Sequence, residues 1–117
     1  MAGDFTQSGT GALSMAGGTV KFDGTVTQTV SVLGSYAFNN FTVGSSSKVK
    51  AGTTLNVDGA LTVSGGEFVL RAPGDNFTGF HDFKGSATVN GGKLDVGTST
   101  AAFRLGLTVS SGVFVMI

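Results

Sequence analysis

Only one histidine occurs in the 117 residues, His81, and it stands next to Asp82. An imidazole beside a carboxylate is the raw material of a general base. On a strand, however, adjacent side chains leave opposite faces, so Asp82 would not orient the ring. The spacing also fixes no nucleophile near it, and a surface or turn position is expected for His81. Carboxylate chemistry of the glycosidase or lyase type is a fairer rival, and it needs two or more acids converging on one surface with a basic residue or metal. The acids are Asp4, Asp23, Asp58, Glu67, Asp75, Asp82 and Asp95. Repeat spacing puts Glu67 and Asp95 on nearby coils of one arm, with Lys21 and Lys93 on the same face. With Phe77, Phe80 and Phe83 they would make a carbohydrate-binding or carbohydrate-cleaving surface. A solvated face of mixed charge produces the same pattern. No catalytic residue, cofactor or metal ligand is assigned, and the chain is expected not to be an enzyme.

Other chemical signatures fail on spacing. Gly9-Thr10-Gly11 lacks the third glycine and the preceding strand of a dinucleotide loop. Gly65-Gly66-Glu67 and Gly91-Gly92-Lys93 do not continue into the glycine and aspartate of a calcium-binding nonapeptide. Asn40-Phe41-Thr42 and Asn76-Phe77-Thr78 fit the N-glycosylation pattern, but turn chemistry accounts for both.

The elements that would position any site are short strands. Glycine supplies 20 of the 117 residues and proline one, while charged residues make up 12 %. Seven basic residues balance seven acidic ones, so no net field draws nucleic acid or anionic lipid. No run reaches the roughly 18 apolar residues of a membrane helix, so membrane insertion is not expected. The start, Met1-Ala2-Gly3-Asp4, shows no signal-peptide pattern. Cysteine is absent, which excludes disulfides and thiolate metal sites without identifying a compartment.

A ten-residue template recurs: Leu61-Thr62-Val63-Ser64-Gly65-Gly66-Glu67-Phe68-Val69-Leu70, then the stretches from Ala87 to Val96 and from Leu107 to Met116. Leu13 to Phe22 follows it, and Phe41 to Lys50 is a degenerate copy. Apolar alternation of period 2 marks strands, and glycine interrupts nearly every window of helix length. The expected fold is all-β: a single-domain parallel β-solenoid (β-helix) of about five coils over residues 1–117, whole or as a piece of a longer repeat protein. A β-sandwich with hairpins at the glycine turns is the alternative.

Stacked coils predict inward ladders. Leu13, Phe41, Leu61, Ala87 and Leu107 form one, and Met15, Val43, Val63, Val89 and Val109 a second. Val20, Val49, Phe68, Leu94 and Phe114 form a third. Outside them, Ser14, Thr42, Thr62, Thr88 and Thr108 make a column of hydroxyls, suited to cross-strand pairing and, as another reading, to ordering water as ice-binding solenoids do. Val69, Val113 and Val115 are expected to face solvent on the second arm. With Phe114, Met116 and Ile117 they are the candidate assembly interface, because a strand apolar on both faces needs cover on both. The partners expected are copies of the chain stacked head to tail, or adjoining solenoid repeats.

Gly74-Asp75-Asn76-Phe77-Thr78-Gly79, followed by Ala87-Thr88-Val89-Asn90-Gly91-Gly92-Lys93-Leu94-Asp95-Val96-Gly97, resembles the passenger-associated repeat of autotransporter adhesins. The earlier stretches, Gly18 to Gly24 and Tyr36 to Val43, look like the glycine-rich β-strand repeats of large bacterial surface proteins. The resemblance covers roughly residues 11 to 116. It implies a right-handed parallel β-helix exported to the bacterial cell surface, acting as a stalk, adhesin or fibre, with host or surface glycans among its partners. The stretch from Thr78 to Ser86 is longer and more aromatic than the usual linker of such repeats.

Overall fold

A computed structural model describes residues 5–7, 18–25, 27–32, 37–52, 54–70, 80–97 and 100–116. They form eleven strands: β1 (Phe5–Gln7), β2 (Thr19–Phe22), β3 (Gln28–Val32), β4 (Ala37–Phe38), β5 (Asn40–Ala51), β6 (Asn56–Val57), β7 (Leu61–Val69), β8 (Phe80–Phe83), β9 (Ala87–Gly97), β10 (Thr100–Phe103) and β11 (Leu107–Met116). Every strand pairing among the described residues is parallel, which excludes the hairpin sandwich. The architecture is a parallel β-solenoid of about four turns.

Each full coil opens with a short strand in a four-stranded sheet of order β10-β8-β6-β4. The chain then turns a corner into a long strand of the second sheet, where β5, β7, β9 and β11 stack in sequence. Each long strand bends midway into two arms. The first arms align Phe41, Leu61, Ala87 and Leu107, and the second arms align Val49, Phe68, Leu94 and Phe114. The registers of these coils agree with the expected ladders.

The amino-terminal coil is different. Val20 pairs with Phe41 and Phe22 with Val43, so Thr19–Phe22 is a first arm rather than the second arm assigned from the template. Val20 therefore belongs to the first ladder. Gln28 takes its place beside Val49 in the third. The physical reason is that both arms carry the same apolar alternation, so matching residue types does not tell one arm from the other. Leu13, Ser14 and Met15 lie outside the described residues.

The glycine pairs at the bends work mainly through close approach. A Cβ on Gly92 would stand 2.8 Å from the Gly65 carbonyl oxygen, and one on Gly112 would collide with the Gly92 carbonyl oxygen. The bends thus stack backbone on backbone through the second sheet, and a side chain there would push the coils apart. Asn90-Gly91, a dipeptide that often forms a tight turn, lies here within the continuous strand β9.

The inward residues make one apolar core. Phe22, Phe38, Phe41, Phe68 and Phe83 are fully or almost fully buried, along with Leu55, Leu61, Leu70 and Leu94. Phe41 is its hub, with ring centroids 4.9 Å from Phe22, 5.2 Å from Phe38 and 5.1 Å from Phe68.

Candidate functional site

The last coil differs from those beneath it. One coil earlier, Phe83, Ala87, Val89 and Leu94 are 0–2 % exposed. Their partners in the end coil, Phe103, Leu107, Val109 and Phe114, have a coil on one side only. Val109 is 43 % exposed, and the other three are only partly buried. Leu105, in the turn between β10 and β11, is 73 % exposed. That turn is closed by a hydrogen bond from Gly106 N to the Phe103 carbonyl at 3.1 Å, and Gly106 adopts φ 94°.

Both end strands also have a free edge. β10 pairs only with β8, and β11 only with β9, among the described residues. Sheet edges usually carry charge or proline to discourage pairing. Neither β10 nor β11 contains either. An apolar cross-section rimmed by unpaired backbone donors and acceptors results, and it has the composition of the coil-to-coil contacts inside the solenoid.

The sequence-derived interface residues do not share one surface. Val113 is 50 % exposed, facing outward in register with Lys93. Phe114 points inward, and its ring meets Phe103 edge-on at 6.3 Å. Val115 is half-buried beside Asp95, and Met116 pairs with Gly97. Val69 was expected at the surface but is buried at 6 % exposure, so it is not available as an interface. Ile117 lies outside the described residues. Reasoning on strand faces missed Phe103 and Leu105, because an open end exposes inward residues and corner residues alike.

The hydroxyl column is present from Thr42 through Thr62 and Thr88 to Thr108. Lys21, not a hydroxyl, stands beside Thr42 at its amino-terminal end. Lys21 is therefore on the first arm and does not share a face with Lys93. On the second arm Glu67 sits between two lysines, 3.9 Å from Lys48 and 3.8 Å from Lys93. Asp95 is buried, so it adds no exposed carboxylate to that face. The proposed carbohydrate surface is not assembled: Phe83 lies in the core, Phe80 is exposed on the other sheet, and Phe77 is outside the described residues. Among the described residues, no three histidine or acidic side chains converge as a metal site would require.

His81 is not at the surface. It is fully buried on the inward face of β8, as is Phe83 two residues on, and that parity was a usable signal. Its Nδ1 accepts from the Leu55 backbone N–H at 3.1 Å, and its Nε2 bonds the Leu70 carbonyl at 2.8 Å. Burial pushes the imidazole down to about 4, against a smaller upward pull from the Leu70 carbonyl. Asp82 points outward, where Arg104 holds it in a two-pronged pair at 2.9 and 3.3 Å. The two neighbours are thus separated by the sheet.

Comparison with family models, with curated proteins and with solved structures finds no match to this chain.

Proposed function

We propose that the chain is a structural or adhesive β-solenoid module of a bacterial cell-surface protein, extending end to end into a stalk or fibre. The observation that carries this reading is the end coil, where inward ladders buried one coil earlier emerge at Phe103, Leu107, Val109 and Phe114. Covering a large apolar side chain is worth about 1.5–3 kcal/mol. A further parallel coil would cover several at once and also satisfy the free edges of β10 and β11.

A second copy stacked head to tail, or adjoining solenoid repeats, would supply that coil. Parallel stacking keeps the two arms and the short strand in phase. A tail-to-tail arrangement reverses the strands and brings unlike sides of the coil together. A head-to-tail contact of this kind does not close on itself, so it propagates. Localisation at the cell surface follows from the repeat resemblance and belongs to the same proposal.

Light scattering across a concentration series, with negative-stain microscopy of the same samples, tests the reading. Mass should rise with concentration, and rods should appear whose width is that of one solenoid. A compact monomer whose mass is independent of concentration overturns it.

A further inference from the structure

The single histidine of the chain occupies a place where a ladder of apolar residues would otherwise run. The pairing of Asn56 with Asp82 and of His81 with Ala101 puts His81 between Leu55 and Ala101 in the short-strand sheet. The ring spans the corner between the two sheets. On one side its Nδ1 takes the Leu55 N–H, just before β6; on the other its Nε2 meets the Leu70 carbonyl, just after β7. Leu55 and Leu70 therefore bracket one coil, and His81 belongs to the next.

Only one protonation state satisfies both bonds. Nδ1 must be bare to accept from Leu55, and Nε2 must carry the proton to donate to Leu70, which is the neutral Nε2–H tautomer. A proton taken from solvent onto Nδ1 would set N–H against N–H at Leu55. It would also place a charge in a fully buried site, which costs free energy. We propose that His81 is an acid-opened clamp: neutral, it ties the start of one coil to that coil's end, and protonation releases both ties and lets the corner between the sheets open.

Among the described residues, the charged side chains near this corner pair elsewhere or alternate away from the ring. Asp82 on β8 and Lys84 just beyond it turn outward, toward Arg104 and Asp58 respectively. β6 contributes Asn56 and Val57, and β10 contributes Ala101 and Ala102. Near the end of β7, Glu67 faces outward between its lysines. Asp95 on β9 alternates with the inward Leu94 and Val96, and meets this corner through its backbone carbonyl, which accepts from Leu70 N at 2.8 Å. The low proton affinity of the ring has burial as its largest cause, consistent with that inventory.

The clamp concerns one corner of the coil and holds whether or not copies stack. Nitrogen-detected NMR on the full native chain reads it directly, because one histidine gives one set of ring signals. At pH 7 the ring should be the Nε2–H tautomer. Between pH 6.5 and 4.5, hydrogen exchange corrected for its intrinsic rate should show the open population at the Leu55 and Asp82 amides rising about tenfold per pH unit. The Val43 and Val63 amides on the first arm should stay protected. H81Q, whose amide supplies an acceptor and a donor, should keep the corner closed at neutral pH and lose the pH slope. A ring that titrates near pH 6.5 with protection unchanged overturns the clamp, and so does uniform loss of protection in all coils. Both are read on the native chain, so a variant that does not fold leaves the test intact.

Discussion

Phe41 and Phe68 stack with ring centroids 5.1 Å apart and planes 23° from parallel, although they belong to different arms of consecutive coils. The contact crosses the interior and joins what the hydrogen-bonded ladders alone leave separate. Phe22 and Phe38 rest on the same ring from the preceding coil and the facing sheet. Phe41→Ala removes the common partner of three aromatic rings in a site that is 0 % exposed. A loss of about 3–5 kcal/mol is expected, measured as a fall in the urea midpoint. Thr42→Ala, one residue away on the outer face, should cost well under half as much.

Gly106 and Gly112 separate backbone conformation from space. Both adopt positive φ, 94° and 90°, so alanine at either incurs a left-handed penalty of roughly 1–2 kcal/mol. Nothing stands within 4 Å of a Cβ at Gly106, whereas one at Gly112 meets the Gly92 carbonyl oxygen and further Gly92 backbone atoms. Gly112→Ala should therefore be the more damaging by about 1–3 kcal/mol. Thermal unfolding of the two single variants beside the native chain decides it.

These positions also show what was legible beforehand. The pairing of Thr42, Thr62, Thr88 and Thr108 followed from the spacing of the repeats, since equal template positions stack in a parallel solenoid. The arm of Val20 did not, because period 2 is shared by both arms and its register depends on a long-range pairing with Phe41. Val69 was misplaced for a related reason: alternation gives the face of a strand, and burial of that face depends on what lies over it. His81 could have been placed by its parity with Phe83. Its bonds to Leu55 and Leu70 could not, since they join backbone groups separated from it by 26 and 11 residues.

Val109 and Thr108 are adjacent on the end strand but face opposite ways, which makes a controlled test of assembly. Val109 points along the inward ladder and is 43 % exposed at the open end, whereas Thr108 continues the outer hydroxyl column. Val109→Asp puts a charge where a further coil would seat, and desolvating it would cost several kcal/mol. Thr108→Val leaves the cross-section unchanged. Light scattering at matched concentrations should show the first variant arrested as a monomer and the second assembling like the native chain. Equal behaviour of the two would locate assembly away from this end.

Acid should act on the fold in two successive windows, because His81 and Asp82 are both held below their ordinary proton affinities by different causes. For His81 the cause is burial, and its folded value is about 4 against 6.5 unfolded. Between those values the unfolded chain binds a proton that the folded chain does not. Stability is thus fully present above pH 6.5 and falls by on the order of 3 kcal/mol as the pH drops to 4. Asp82 is lowered chiefly by its hydrogen bond to Arg104, with burial opposing. Its contribution is present above the ordinary carboxylate value of 3.8 and disappears only as the pH falls through the depressed folded value. The pair is at the surface, so its effect is small and screened by salt. Urea midpoints measured from pH 7 to pH 2 should therefore decline first through the His81 window and again below pH 4. Arg104→Gln should reduce the second decline and spare the first, and H81Q should do the reverse. A single decline confined below pH 4 in the native chain would mean that His81 is not held neutral by the fold.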